Sequence, residues 1–158
     1  ARASFEALLR GVVKKRFTVK GFRDGHFPFH GSAVKDCIEG FKRTRPDVIF
    51  THYREDLHQD HRLVAEVSWQ TFRDHLILEY EVPKYDGDLG SPNTFVGLSA
   101  AEIRTKARHI LGHFASQRDR TWFTEDTFQS LARLRGVESR SRGGYAEAFY
   151  CRKLLWTI

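Results

Sequence analysis

The chain has 158 residues, 41% apolar and 13% aromatic, which suffices for one compact domain with an ordinary core. No apolar run reaches the roughly 18–20 residues of a membrane helix, and the N-terminus lacks a signal peptide's apolar centre, so a soluble cytoplasmic protein without a membrane span is expected. The net charge of +6 sits in residues 1–20, where Arg2, Arg10, Lys14, Lys15, Arg16 and Lys20 face Glu6 alone, while the remainder balances 20 basic against 19 acidic side chains and argues against a nucleic-acid partner.

Residues 3–10 read as the end of a helix stopped by Gly11, and VVKKRFTV at 12–19 alternates like a strand or the approach to one. The turn-rich GFRDGHFPFHG follows, then a helix from Ala33 to Lys42 with apolar residues at 34, 37, 38 and 41, closed by Arg45 and Pro46. DVIFTH at 47–52 is a short apolar run suited to a strand buried on both faces of a parallel sheet. After the loop YREDLHQ, a helix starts close to Asp60 and turns Leu63, Val64, Val67 and Thr71 inward. HLILEYEVP has strand character, and KYDGDLGSPN is a loop. SAAE at 99–102 matches a capping box ahead of an apolar stripe of Ile103, Ala107, Ile110, Leu111 and Phe114. A short helix over TEDTFQSLARLRG and a strand over YAEAFYCRKLLWTI complete the chain. Helices alternating with buried strands give an α/β class, a Rossmann-like, largely parallel sheet with flanking helices, as a single domain over 1–158.

In such sheets, ligand sites form beyond the carboxyl ends of the strands, and REDLHQDH directly follows DVIFTH. Asp56, His58, Asp60 and His61 are residue types that bind zinc or move protons near neutral pH. A metal-binding imidazole presents one neutral nitrogen while the other donates to a carboxylate, a part open to either Asp60 or Asp56. Two histidines alone do not fill a catalytic zinc sphere, which takes three protein ligands and a water. Cys37 and Cys151 form no CxxC pair, so a cysteine zinc site or disulfide framework is not expected.

RPDVIFTHYREDLHQDHRLV resembles the second signature of the PIG-L/LmbE N-deacetylases, zinc-dependent enzymes that remove acetyl groups from N-acetylglucosaminyl substrates. DG at 24–25, KARHILGHFASQ at 106–117, LRG at 134–136 and YAEAF at 145–149 agree in order. The resemblance implies a Zn2+ cofactor held by His61, with His58 stabilising the oxyanion or protonating the leaving amine. It further implies that Asp60 orients and charge-balances His58, and that Asp24 sits among sugar hydroxyls. The family's His-Pro-Asp-Asp-Glu loop, which carries the other ligands and the general base, is not in this chain. A leading βαβ portion of at least about 30 residues is therefore expected outside it, leaving this chain an inactive fragment of the enzyme.

Other polar residues have plainer readings. His113, Gln117, His26 and His30 are read as packing or loop residues, Lys106 and Arg108 as solvated, and Glu147 as the ion-pair partner of Arg135. Trp69, Trp122 and Trp156 are read as core rather than sugar platforms. The rival to the enzyme is a non-enzymatic remnant or basic binding module built on residues 1–20. Which N-acetylated substrate is used, and whether the protein is a homo-oligomer, is not written in the sequence.

Overall fold

The computed structural model describes residues 1–155, so Trp156 and the end of the expected last strand lie outside the described residues. Five helices are described: α1 (Arg2–Leu8), α2 (Gly31–Glu39), α3 (Gln59–Phe72), α4 (Ala100–His113) and α5 (Glu125–Glu138). Four strands, β1 (Val48–His52), β2 (Leu76–Tyr80), β3 (Thr94–Leu98) and β4 (Tyr145–Cys151), form one sheet in the order β1-β2-β4-β3. The α/β class with a single helix-flanked sheet is thus realised. β1 and β2 run parallel with α3 as their crossover, His52 lying opposite Tyr80, whereas β4 runs antiparallel to β2 with Leu78 opposite Cys151. No described helix is long and apolar enough to cross a membrane.

The backbone divides into two compact units. One comprises residues 22–82, 86–95 and those from 148 on. Its core forms where α3 turns Ala65, Val67, Ser68, Thr71 and Phe72 inward, with Ile77 of β2 and Val34 of α2 buried in the same unit. The Thr51 hydroxyl donates to Ser68 Oγ at 3.3 Å beneath β1. The expectation that β1 is buried on both faces is corrected, since Val48 and Phe50 are 40% and 59% exposed. β1 is an edge strand, and the alternation of a pleated strand gives α3 only the face that carries Thr51.

The other unit comprises residues 1–21, 83–85 and 96–147. α4 and α5 pack together over Ala107, Phe123 and Phe128, with the partly buried Ile110, Leu111 and Trp122 against them. Phe123 and Phe128 meet edge to face at 5.8 Å. The capping box is present: Ser99 Oγ accepts from the Glu102 N–H at 3.3 Å, and Glu102 Oε2 accepts from the Ser99 N–H at 2.7 Å. These bonds hold the Glu102 carboxyl below its usual range. Lys106, read as solvated, donates to both oxygens of Glu147 at 2.5 and 2.6 Å, and Arg135 bonds Glu138 at 2.8 and 2.9 Å. His113 stacks obliquely on His109, which meets the buried Ser4 hydroxyl at 2.9 Å.

Residues 12–19 form no strand, and Val13 is 95% exposed. An alternating pattern becomes a strand only where a neighbour takes its backbone hydrogen bonds. Gly136 marks the closest approach in this unit, because a Cβ there would meet the Gly144 carbonyl and lie 2.6 Å from Tyr145 Cα. Gly136→Ala is expected to destabilise the protein by about 1–3 kcal/mol, read by chemical denaturation, since backbone on both sides cannot give way.

Candidate active site

The site grows from the end of β1. The Tyr53 N–H extends the pairing by donating to the Tyr80 carbonyl, and the Arg54 N–H donates to Glu79 Oε2 at 3.1 Å. Glu79 is 1% exposed and held by Arg152 at 2.9 Å, so the loop leaves the sheet over a fixed charge pair. The Asp56 N–H then closes a turn onto the Tyr53 carbonyl, and the Leu57 N–H donates to Asp88 at 2.8 Å. Arg62 returns from α3 to the carbonyls of Asp56 (3.0 Å) and Leu57 (2.5 Å). These bonds tie the loop down, which restricts His58 at its end and His61 in the first turn of α3.

Asp56, 2% exposed, organises both of them. Its Oδ1 accepts from the His58 N–H at 2.8 Å and its Oδ2 meets His61 Nδ1 at 2.9 Å. A carboxylate only accepts, so His61 carries its proton on Nδ1 and leaves the Nε2 lone pair available. His58 is arranged the opposite way. It caps α3, its Nδ1 accepting from the Asp60 N–H at 3.3 Å. A backbone N–H only donates, so the proton of neutral His58 sits on Nε2. The two rings lie 4.5 Å apart. One presents a lone pair and its neighbour an N–H donor, beside a helix N-terminus that favours negative charge.

Asp60, 4% exposed, points elsewhere. Its Oδ2 accepts from the Gly25 N–H at 2.6 Å and its Oδ1 from the Phe27 N–H at 3.0 Å. The turn it anchors carries Asp24, which is exposed, and Gly25 at φ +76, a conformation that glycine tolerates. Gln59 adds a bond to the Gly25 carbonyl at 3.1 Å. Of the four residues singled out from sequence, His58 and His61 are neighbours, and Asp60 links them to the Asp24 turn. His26 bonds the Asp24 carbonyl at 3.1 Å, and His30 lies beside Phe22.

Sequence reasoning weighed Asp56 only as an alternative partner and passed over His52 and Tyr80. His52 stacks on His61 with centroids 4.0 Å apart, and Tyr80 Oη lies 3.3 Å from His52 Nε2. Both residues end paired parallel strands, the position where sheet sites form, and that placement was the available signal. Burial, reinforced by the charge of Asp56, pushes the Tyr80 phenol up to about 12. An unfolded tyrosine titrates near 10, so the folded state keeps this proton to higher pH. The resulting stability is full below about pH 10 and is lost as pH rises through about 12, an effect of about 2–3 kcal/mol. Tyr80→Phe is expected to flatten alkaline unfolding across that window, as measured by denaturation at each pH.

The donor set fits a metal at one corner, His61 Nε2. Among the described residues, no three His, Cys, Asp or Glu side chains converge as a metal-binding group.

The profile of the family "PIG-L: GlcNAc-PI de-N-acetylase" matches residues 1–72, which include Asp24, His58, Asp60 and His61. No curated protein shows a significant sequence match. Among solved structures, N,N'-diacetylchitobiose deacetylase from Pyrococcus horikoshii, complexed with its inhibitor MPG, is 19% identical with a TM-score of 0.68, covering 95% of this chain and 62% of its own. The conserved protein TT1542 from Thermus thermophilus is 18% identical with a TM-score of 0.62, covering 87% of this chain and 66% of its own. The zinc inhibited form of teicoplanin deacetylase Orf2 is 15% identical with a TM-score of 0.60, covering 89% of this chain and 57% of its own. The chain thus spans less than two thirds of the length of each of these structures. Residues 1–72, which include His58 and His61, are thus similar to the PIG-L family, and the chain as a whole shares the fold of these structures.

Proposed function

We propose that this chain forms part of the active site of a zinc-dependent hydrolase that removes the N-acetyl group from an N-acetylglucosamine-type sugar or glycoconjugate. The observation that carries the reading is the opposite bonding of two rings 4.5 Å apart, His61 Nδ1 on the Asp56 carboxylate and His58 Nδ1 accepting from the Asp60 N–H, which leaves an acceptor at one Nε2 and a donor at the other. His61 would hold the zinc, with Asp56 fixing its tautomer. When bound, zinc supplies Lewis acidity toward a carbonyl and an acidified water. His58 Nε2–H donates to the amide oxygen as charge gathers there, or delivers its proton to the departing amine. Asp60 orients His58 through its own backbone N–H, while its carboxylate holds the turn that offers Asp24 to sugar hydroxyls. The remaining ligands come from donors outside this cluster. The family match through this loop and the deacetylases among the structural neighbours support the assignment.

The test is acetate release from N-acetylglucosamine conjugates by the protein. His58→Ala is expected to lower kcat by about 10²–10⁴-fold with zinc content kept, the range for loss of a general acid. His61→Ala is expected to lower zinc content as well. A double variant that still turns over at the wild-type rate refutes the site.

A further inference from the structure

His61 is held at Nδ1 by Asp56, yet one hydrogen bond does not fix a ring. The outer torsion of histidine is broad and roughly two-fold, so a half-turn exchanges nitrogen and carbon positions at small intrinsic cost. A half-turn leaves the ring plane unchanged, so Asp56 chooses between the two flips, and a flat neighbour limits rotation of the ring out of that plane. The His52 ring lies nearly parallel to that of His61, at 18° and 4.0 Å, the arrangement in which aromatic contact area is largest. His52 is itself fixed from behind. It ends β1 in register with Tyr80 at the end of β2, and the Tyr80 hydroxyl shares a hydrogen bond with His52 Nε2 at 3.3 Å. The inner sheet strand thereby sets Tyr80, Tyr80 sets His52, and His52 offers a plane to His61.

We propose that His52 is a positioning residue that sets the ring plane of His61, so that Nδ1 stays on Asp56 and the Nε2 lone pair keeps a single direction. The inference rests on the reading of His61 as a zinc ligand, but its test does not need zinc. A stacked pair of this kind biases ring orientation by about two- to tenfold. His52 touches neither substrate nor metal in this assignment and acts through His61.

The experiment compares His52→Leu, which fills the space without a flat face, with His52→Phe, which restores the face without the nitrogens. Nitrogen-15 and carbon-13 NMR of the His61 ring in the metal-free protein reads tautomer and orientation, beside the thermal midpoint of each variant. His52→Leu is expected to raise the population of His61 rings turned out of the plane and off Asp56, read as the Nε2-protonated form, by about two- to tenfold, and His52→Phe to return it to the wild-type value. Tyr80→Phe, which keeps the packing, is expected to move His61 in the same direction by a smaller amount. A purely structural role would lower the thermal midpoint in both His52 variants and leave the His61 ring unchanged, and that result overturns the proposal. A phenylalanine variant as perturbed as the leucine variant overturns it too. Zinc titration of the wild-type chain separates the two readings. If the ring responds as expected but zinc leaves the His61 signals unmoved, the positioning role stands and the ligand assignment falls.

Discussion

Asp60→Ala is expected to cost about 3 kcal/mol of folding stability, because two backbone donors lose a charged acceptor at once. The carboxylate is 4% exposed and takes the Gly25 N–H at 2.6 Å and the Phe27 N–H at 3.0 Å, joining segments 33 to 35 residues apart. Water reaches a site this closed poorly, so the orphaned N–H groups pay desolvation without return. Asp60→Asn retains one acceptor oxygen but sets an amide NH2 against the other donor, and should fall between alanine and wild type. Denaturant titration gives the magnitude, and hydrogen exchange at Gly25 and Phe27 gives the location, with protection there falling more than at Ile77 in the core. A change within about 0.5 kcal/mol, the range of an ordinary surface substitution, would show that the turn stands without Asp60.

The Asp60 contacts span 33 and 35 residues, and contacts of that kind leave no local pattern in the sequence. The capping box of Ser99 and Glu102 was legible because both partners lie within one helical turn, so residue type and spacing specify the bond. The β1–α3–β2 unit was legible because its apolar runs and helical period are local. Residues 12–19 alternate just as well, yet a strand also needs a partner edge, which no local pattern encodes. β3 lacks a legible pattern for the converse reason: five residues containing Gly97 carry a weak signal, and the neighbouring strand β4 supplies the rest. Glu147 illustrates partner choice across distance. Its polarity inside an apolar strand demanded a cation, and Lys106, 41 residues away, met the demand.

Within the site, composition indicated that a carboxylate would hold an imidazole, and geometry decided which. Asp60 lies next to His61 in sequence, but at the first turn of α3 its side chain projects toward the 25–27 turn. Asp56, five residues before His61, sits where the loop folds back over the helix start and reaches both histidines. Adjacency in sequence is a poor guide at a helix N-terminus, because successive side chains diverge by about 100° while the preceding loop can curl over the axis.

Asp56→Asn should therefore be the most damaging conservative change in the site. The carboxylate serves two donors, His58 N–H at 2.8 Å and His61 Nδ1–H at 2.9 Å, and an amide can serve only one. If its oxygen stays on His58, its NH2 confronts His61 Nδ1, which can accept only after moving its proton to Nε2. The proton then occupies the atom proposed to bind zinc. If the amide turns the other way, the His58 N–H is left unpaired beside a closed loop and the helix cap loosens. Either route is expected to weaken zinc binding at His61 by about 10–100-fold while the fold persists, as measured by competitive titration against a chelator. Ring NMR distinguishes the routes, since the first converts His61 to the Nε2–H form and the second shifts His58 instead. Wild-type affinity together with an unaltered His61 tautomer in this variant would mean that Asp56 does not govern the imidazole, and the chemistry assigned to the loop would have to be built on other residues.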